Sequence, residues 1–127
     1  MSTQCGIAIK TDKGYDTIYV HSDGYPEYMW PMLTENYNSE ELVKKLVSFG
    51  DASYIAENVE PQGPSDHSFA NPDHSVSCFY HRDRGERWDQ VAPITYLEKE
   101  LFNNFYYSYV WENGGWSFYK SGRRFYL

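Results

Sequence analysis

Side chains able to do acid, base or ion-pairing chemistry gather at three places where the chain also carries turn formers. These are His21-Ser22-Asp23-Gly24-Tyr25-Pro26, Asp66-His67-Ser68, and His81-Arg82-Asp83-Arg84-Gly85-Glu86. An enzyme built from them would use His21 as general base, oriented by Asp23 or Asp83, with Arg82 or Arg84 gripping an anionic substrate in a fork. His67 and Glu86 complete that set. His21, Asp23 and His67 are the residue types a metal would take, but no HExxH or paired CxxC spacing accompanies them, so no metal or cofactor is expected. The same residues also suit structural work: an Asx-type turn at Asp23, and an ion-pair network from Arg82 to Glu86 pinning a strand to the loop after it. Cys5 and Cys78 sit in strand-like runs without basic neighbours, which predicts buried, reduced, inert thiols. No GxSxG elbow or glycine-rich phosphate loop occurs.

Charge narrows the partners. The formal net charge is -7, and neither Lys nor Arg occurs between Lys45 and Arg82. Asp51, Glu57, Glu60, Asp66 and Asp73 all fall in that stretch, forming a candidate anionic face for a basic partner. General binding to nucleic acid or to an anionic membrane is disfavoured, because both need clustered cations. The one basic run, Lys120-Ser121-Gly122-Arg123-Arg124, lies among aromatics; it suits base stacking, docking on an acidic partner, or protection of an edge strand. No apolar run reaches the length of a membrane span and no signal peptide precedes the first strand, so a cytoplasmic location is expected.

The 127 residues suffice for one domain, and 19% are aromatic, so the core is expected to be rich in Tyr, Phe and Trp. Cys5 to Ile9 and Thr17 to His21 read as a hairpin across Asp12-Lys13-Gly14. Pro26 can open a helix, but Pro31 predicts two short turns rather than one rod. Ser39 to Phe49 has a cap, acidic first turn, terminal glycine and a stripe of Leu42, Val43, Leu46 and Val47, which together define a helix. Residues 51–73 read as a long irregular connection with little core of its own. Ser75 to His81 reads as a strand followed by a charged loop, and Ile94 to Asn103 as a helix begun by Pro93. Alternating aromatics from Phe105 to Trp111 return through Glu112-Asn113-Gly114-Gly115 into Trp116 and Phe118. The expected fold is α+β: a mainly antiparallel sheet of about five strands with two helices packed on it. If the strands ending at His21 and His81 run side by side in one direction, their polar turns meet in a single cleft.

Taken together, the segments Ile18-Tyr19-Val20-His21-Ser22-Asp23-Gly24-Tyr25-Pro26, Gly50-Asp51, His67-Ser68-Phe69 and Tyr80-His81-Arg82-Asp83-Arg84-Gly85-Glu86 span nearly the whole chain. They resemble a family of small proteins from bacteriophages and other bacterial mobile elements, with Ser22 where that pattern carries tryptophan. The resemblance implies a small protein acting in the bacterial host cytoplasm, of the anti-CRISPR or anti-restriction type, that binds a host defence or nucleic-acid-handling protein. Asp51, Glu57, Glu60, Asp66 and Asp73 would meet the partner's basic groove. The alternative is a small enzyme or binding domain for a nucleotide-like anion, using His21, Asp23, His67, Arg82, Asp83 and Glu86.

Overall fold

The computed structural model describes residues 2–127. Strands β1 (Cys5–Thr11) and β2 (Gly14–Val20) form the predicted hairpin, pairing antiparallel from Cys5↔Val20 to Thr11↔Gly14. Helices α1 (Pro26–Asn36) and α2 (Glu40–Ser48) follow. The middle holds β3 (Ala52–Tyr54), β4 (Cys78–Phe79), and the short helices α3 (Tyr80–Arg84) and α4 (Trp88–Val91). The last part contains β5 (Ile94–Tyr96), α5 (Glu98–Asn104), β6 (Tyr107–Glu112), β7 (Gly115–Lys120) and β8 (Arg123–Phe125).

The fold is α+β, but the sheet is eight-stranded and mixed rather than five-stranded and antiparallel. Its order is β4-β3-β2-β1-β6-β7-β8, with β5 beside the first half of β2. β1 pairs parallel with β6 and β2 parallel with β3, while the remaining pairs are antiparallel. Parallel pairing joins strands far apart in sequence and leaves no turn signature, and strands of two or three residues are too short to show alternation.

Both faces of the sheet are covered. One carries Ile7, Ile9, Ile18, Val20, Tyr109, Trp111 and Phe118 against Met29 and Leu33 of α1 and Val43, Leu46 and Val47 of α2. The other carries Ala8, Tyr15 and Val110 beneath Leu101 of α5, flanked by Phe102 and Phe105. Buried aromatic polar groups find backbone partners, as expected when aromatics build a core. Tyr37 Oη donates to Ala56 O (2.6 Å), Tyr109 Oη to Gly24 O (2.8 Å) and Trp116 Nε1 to Tyr37 O (2.8 Å).

Several local expectations change. α1 is one helix through Pro31; the missing N–H forfeits only a bond to Glu27 O, in the first turn, where that exposed residue's carbonyl can turn to water. α2 matches its predicted span, with Ser39 Oγ accepting from Leu42 N, but Leu42 is 40% exposed and lies outside the buried stripe. Residues 51–73 do contribute core, since Ala52, Ile55, Ala56 and Val59 are buried. The strand expected from Ser75 to His81 is confined to Cys78–Phe79, because Tyr80 to Arg84 turns helical and stops at Gly85 in the left-handed conformation (φ 82°). Ile94 to Tyr96 is a strand and only Glu98 onward is helical, since β2 offers a free edge that β-branched Ile94 and Thr95 can occupy.

Candidate functional site

The His21 and His81 turns do not converge. Val20, Ala52 and Phe79 are level with one another across β2, β3 and β4. Beyond that line His21 N–H donates to Ala52 O and Ser22 N–H to Ser53 O, whereas Tyr80 N–H donates to Asp51 O. β2 and β4 therefore leave the sheet in opposite directions, and the single cleft expected at His21 and His81 does not form. His21 Nδ1 lies 2.6 Å from Tyr19 Oη, and His81 Nδ1 donates to Glu86 O at 2.8 Å. Asp23 occupies the left-handed region (φ 60°), which lets buried Gly24 donate to Thr3 O before Tyr25 caps α1. This motif joins β2 to α1.

What the structure brings together is His67, Arg82 and Asp83. Asp83 on α3 receives Arg82 Nε and Nη2 on its two oxygens, both at 3.0 Å, and the Phe79 N–H on Oδ2 at 2.8 Å. Arg82 also donates through Nη1 to Val59 O (2.7 Å) and through Nη2 to Ser77 O (2.9 Å), and the guanidinium lies over the adjoining Phe49 and Phe79 rings, 5.0 and 4.9 Å from their centroids. His67 is equally committed. Its Nδ1 accepts from Asp73 N–H (2.9 Å), so the ring hydrogen is on Nε2, which faces Ser77 O at 3.2 Å and Asp83 Oδ2 at 3.5 Å. The side chains of His67 and Asp83 are 2% and 5% exposed. Beside this clamp lies a cavity of about 370 Å³ with Phe49, Glu60 and Pro61 as its other walls.

His67, Cys78 and Asp83 also place three potential ligand atoms within 4.8 Å of one another. They do not fit a metal. Both Asp83 oxygens are occupied, the Nδ1 hydrogen bond directs Nε2–H rather than a lone pair inward, and burial pushes the Cys78 thiol up to about 11. Cys5 is buried too, its thiol raised by the same loss of water, and both cysteines are unpaired.

Arg84 is exposed, pairs with Glu86 (Nε to Oε1, 3.3 Å) and covers the Phe69 ring at 4.6 Å. Of the five central acids, Asp51 Oδ1 accepts from Tyr19 N–H (2.9 Å), and Asp73 Oδ1 from Ser75 N–H and Oγ (3.0 and 2.7 Å). Glu60 pairs with Lys45 at 2.6 Å, and Asp66 receives Asn71 Nδ2 at 3.0 Å. Those contacts hold the carboxyls of Glu60 and Asp73 below their ordinary range, whereas burial pushes Asp51 up to about 6.

Glu57 alone of the five has no partner among the described residues, and it joins two acids that the sequence reading passed over. Glu27, Glu35 and Glu57 line a cleft of about 370 Å³ with Tyr28, Pro31 and Met32. Glu27, Pro31 and Glu35 are four residues apart along α1, a spacing that puts them on one helix side and was readable from sequence. No helix among the described residues is long and apolar enough to cross a membrane. No protein-family model, curated protein or solved structure matches this chain.

Proposed function

We propose that this is a non-catalytic binding protein that seats a basic surface of a bacterial nucleic-acid-handling protein in its acidic cleft and blocks it. The observation that carries the reading is that Glu27, Glu35 and Glu57 surround one cleft and none has a hydrogen-bond or ion-pair partner among the described residues. Their charges remain available to a partner, and Tyr28, Pro31 and Met32 offer apolar wall for the stems of Lys or Arg. The residues suited to catalysis, by contrast, are engaged by backbone or by one another. A defence or nucleic-acid-handling protein of the host is the partner the family resemblance implies.

The test is affinity capture from bacterial lysate at low and high salt, with wild-type protein and the triple variant Glu27→Gln, Glu35→Gln, Glu57→Gln. The expected result is a nucleic-acid-handling protein that wild type retains at low salt, high salt releases and the variant does not capture. Adding purified wild type should displace nucleic acid from that protein. Capture that is insensitive to salt, or equal for the variant, would sink the reading.

A further inference from the structure

A second surface carries the opposite charge. Tyr106, between α5 and β6, keeps 56% of its surface exposed although its backbone is fixed by Ser121 N–H donating to Tyr106 O at 2.8 Å. Two hollows share this residue as a wall. One, about 320 Å³, has Thr3, Gln4 and Asn104 among its lining; the other, about 310 Å³, has Lys120, Ser121, Arg123 and Phe125. The ring meets Tyr107 edge-on with centroids 4.8 Å apart, and Lys120 Nζ lies 5.7 Å from its centre. Among the described residues, Lys120, Arg123 and Arg124 have no carboxylate partner, and Arg124 instead covers Tyr126 at 4.7 Å.

Cations on an edge strand can serve only to prevent strand-to-strand association. That role explains Arg123 and Arg124 on β8. It does not explain a half-exposed ring between a cationic hollow and one bearing side-chain amides. We infer that Tyr106 and its two hollows form a binding site for single-stranded nucleic acid. A base stacks on the Tyr106 ring, a neighbouring phosphate sits by Lys120 and Arg123, and Gln4 and Asn104 offer donors and acceptors to the edge of a base. An acidic peptide would use the cations but has no use for the ring. The site is separate from the acidic cleft and does not depend on it. The net charge of -7 opposes approach of any polyanion, so binding is expected to be weak and non-steered, with a shallow salt slope of about −2 set by three local cations.

Fluorescence anisotropy of a labelled oligothymidylate, with a labelled glutamate homopeptide in parallel, tests the assignment. Wild type should bind the oligonucleotide saturably and the peptide much more weakly. Tyr106→Ala should weaken binding at least about fivefold, with Tyr106→Phe within about twofold of wild type, because stacking needs the ring and not the hydroxyl. Circular dichroism checks the fold, and if Tyr106→Ala fails to fold, exposed Arg123→Glu takes its place with an expected loss of at least about tenfold. Absence of saturable binding, equal binding by wild type and a folded Tyr106→Ala, or equal affinity for the glutamate peptide would each overturn the assignment. The last result would make an acidic protein the ligand.

Discussion

Arg82 and its chain neighbour Asp83 share a two-pronged ion pair, Nε to Oδ1 and Nη2 to Oδ2, each at 3.0 Å. Adjacent residues on a helix rarely face each other; here the guanidinium bends back over the Phe49 and Phe79 rings and also reaches Val59 O and Ser77 O. One side chain thereby joins α3 to the two stretches that precede it. Arg82→Lys keeps the charge but cannot make the fork and also satisfy both carbonyls. The expected loss is about 2–4 kcal/mol in urea unfolding. Arg84→Ala, which removes an exposed ion pair, should cost no more than about 1 kcal/mol. Equal effects would mean that Arg82 is not a structural tie.

The glycine of the His21 to Pro26 motif is fixed by space. A Cβ on Gly24 would lie 2.7 Å from Cys5 Cβ and 2.8 Å from the Gln4 carbonyl carbon, and backbone at that point cannot withdraw without disturbing β1. Gly24→Ala should therefore destabilise by about 1–3 kcal/mol. Gly63→Ala, where nothing lies within 4 Å of the added carbon, should stay within about 0.5 kcal/mol of wild type. Thermal melts of both variants check the contrast; similar melting temperatures would remove the steric account of the motif.

These two cases show what was legible. The β1–β2 hairpin, α2 and the β6–β7 hairpin carry their own signals of alternation, helical stripe, caps and turn residues, and they formed where the pattern placed them. β3 and β5 owe their pairing to edges supplied by distant strands, so nothing local announced them, whereas β8 returns on β7 across the two-residue Ser121-Gly122 turn, in keeping with the edge-strand reading of the basic tail. At the candidate site the residue types were visible but their geometry was not. His67, Arg82 and Asp83 meet because Tyr80 to Arg84 coils back over residues 59–77, and His21 stays apart because β2 and β4 point opposite ways. The Gly85 stop signal for α3 was present in the sequence and was read as part of a loop.

His67, Cys78 and Asp83 provide a check on the meaning of proximity. If their hydrogen bonds commit them as described, melting curves in EDTA and in excess zinc should superimpose. A true site saturated to about a hundred times its dissociation constant would add roughly 2.7 kcal/mol, a shift easily seen in a domain of this size. A zinc-dependent rise that Cys78→Ala abolishes would show that Arg82 yields Asp83 to a metal.

Asp51 should leave a signature in the pH dependence of stability. It is a joint of the fold: its carboxylate accepts from Tyr19 N–H, its carbonyl from Tyr80 N–H, and its own N–H donates to Val91 O. Burial raises its pKa from 3.8 to about 6, against the opposing pull of the Tyr19 hydrogen bond. A carboxyl whose pKa is higher folded than unfolded binds its proton more tightly in the fold. Its stabilising contribution is therefore full below about pH 4, declines as pH rises and is gone above about pH 6. Asp51→Asn keeps an acceptor for Tyr19 N–H and has no charge to bury, so it should gain on wild type across that window and hold the gain at neutral pH. Glu60 and Asp73, whose pKa values are lowered, act in the opposite sense in both proteins and cancel in the difference. Urea titrations of the two proteins between about pH 4 and pH 7 measure that difference. A flat difference would mean that the Asp51 carboxylate remains hydrated in the fold, and a falling one that its charge makes a favourable contact that Asn cannot replace.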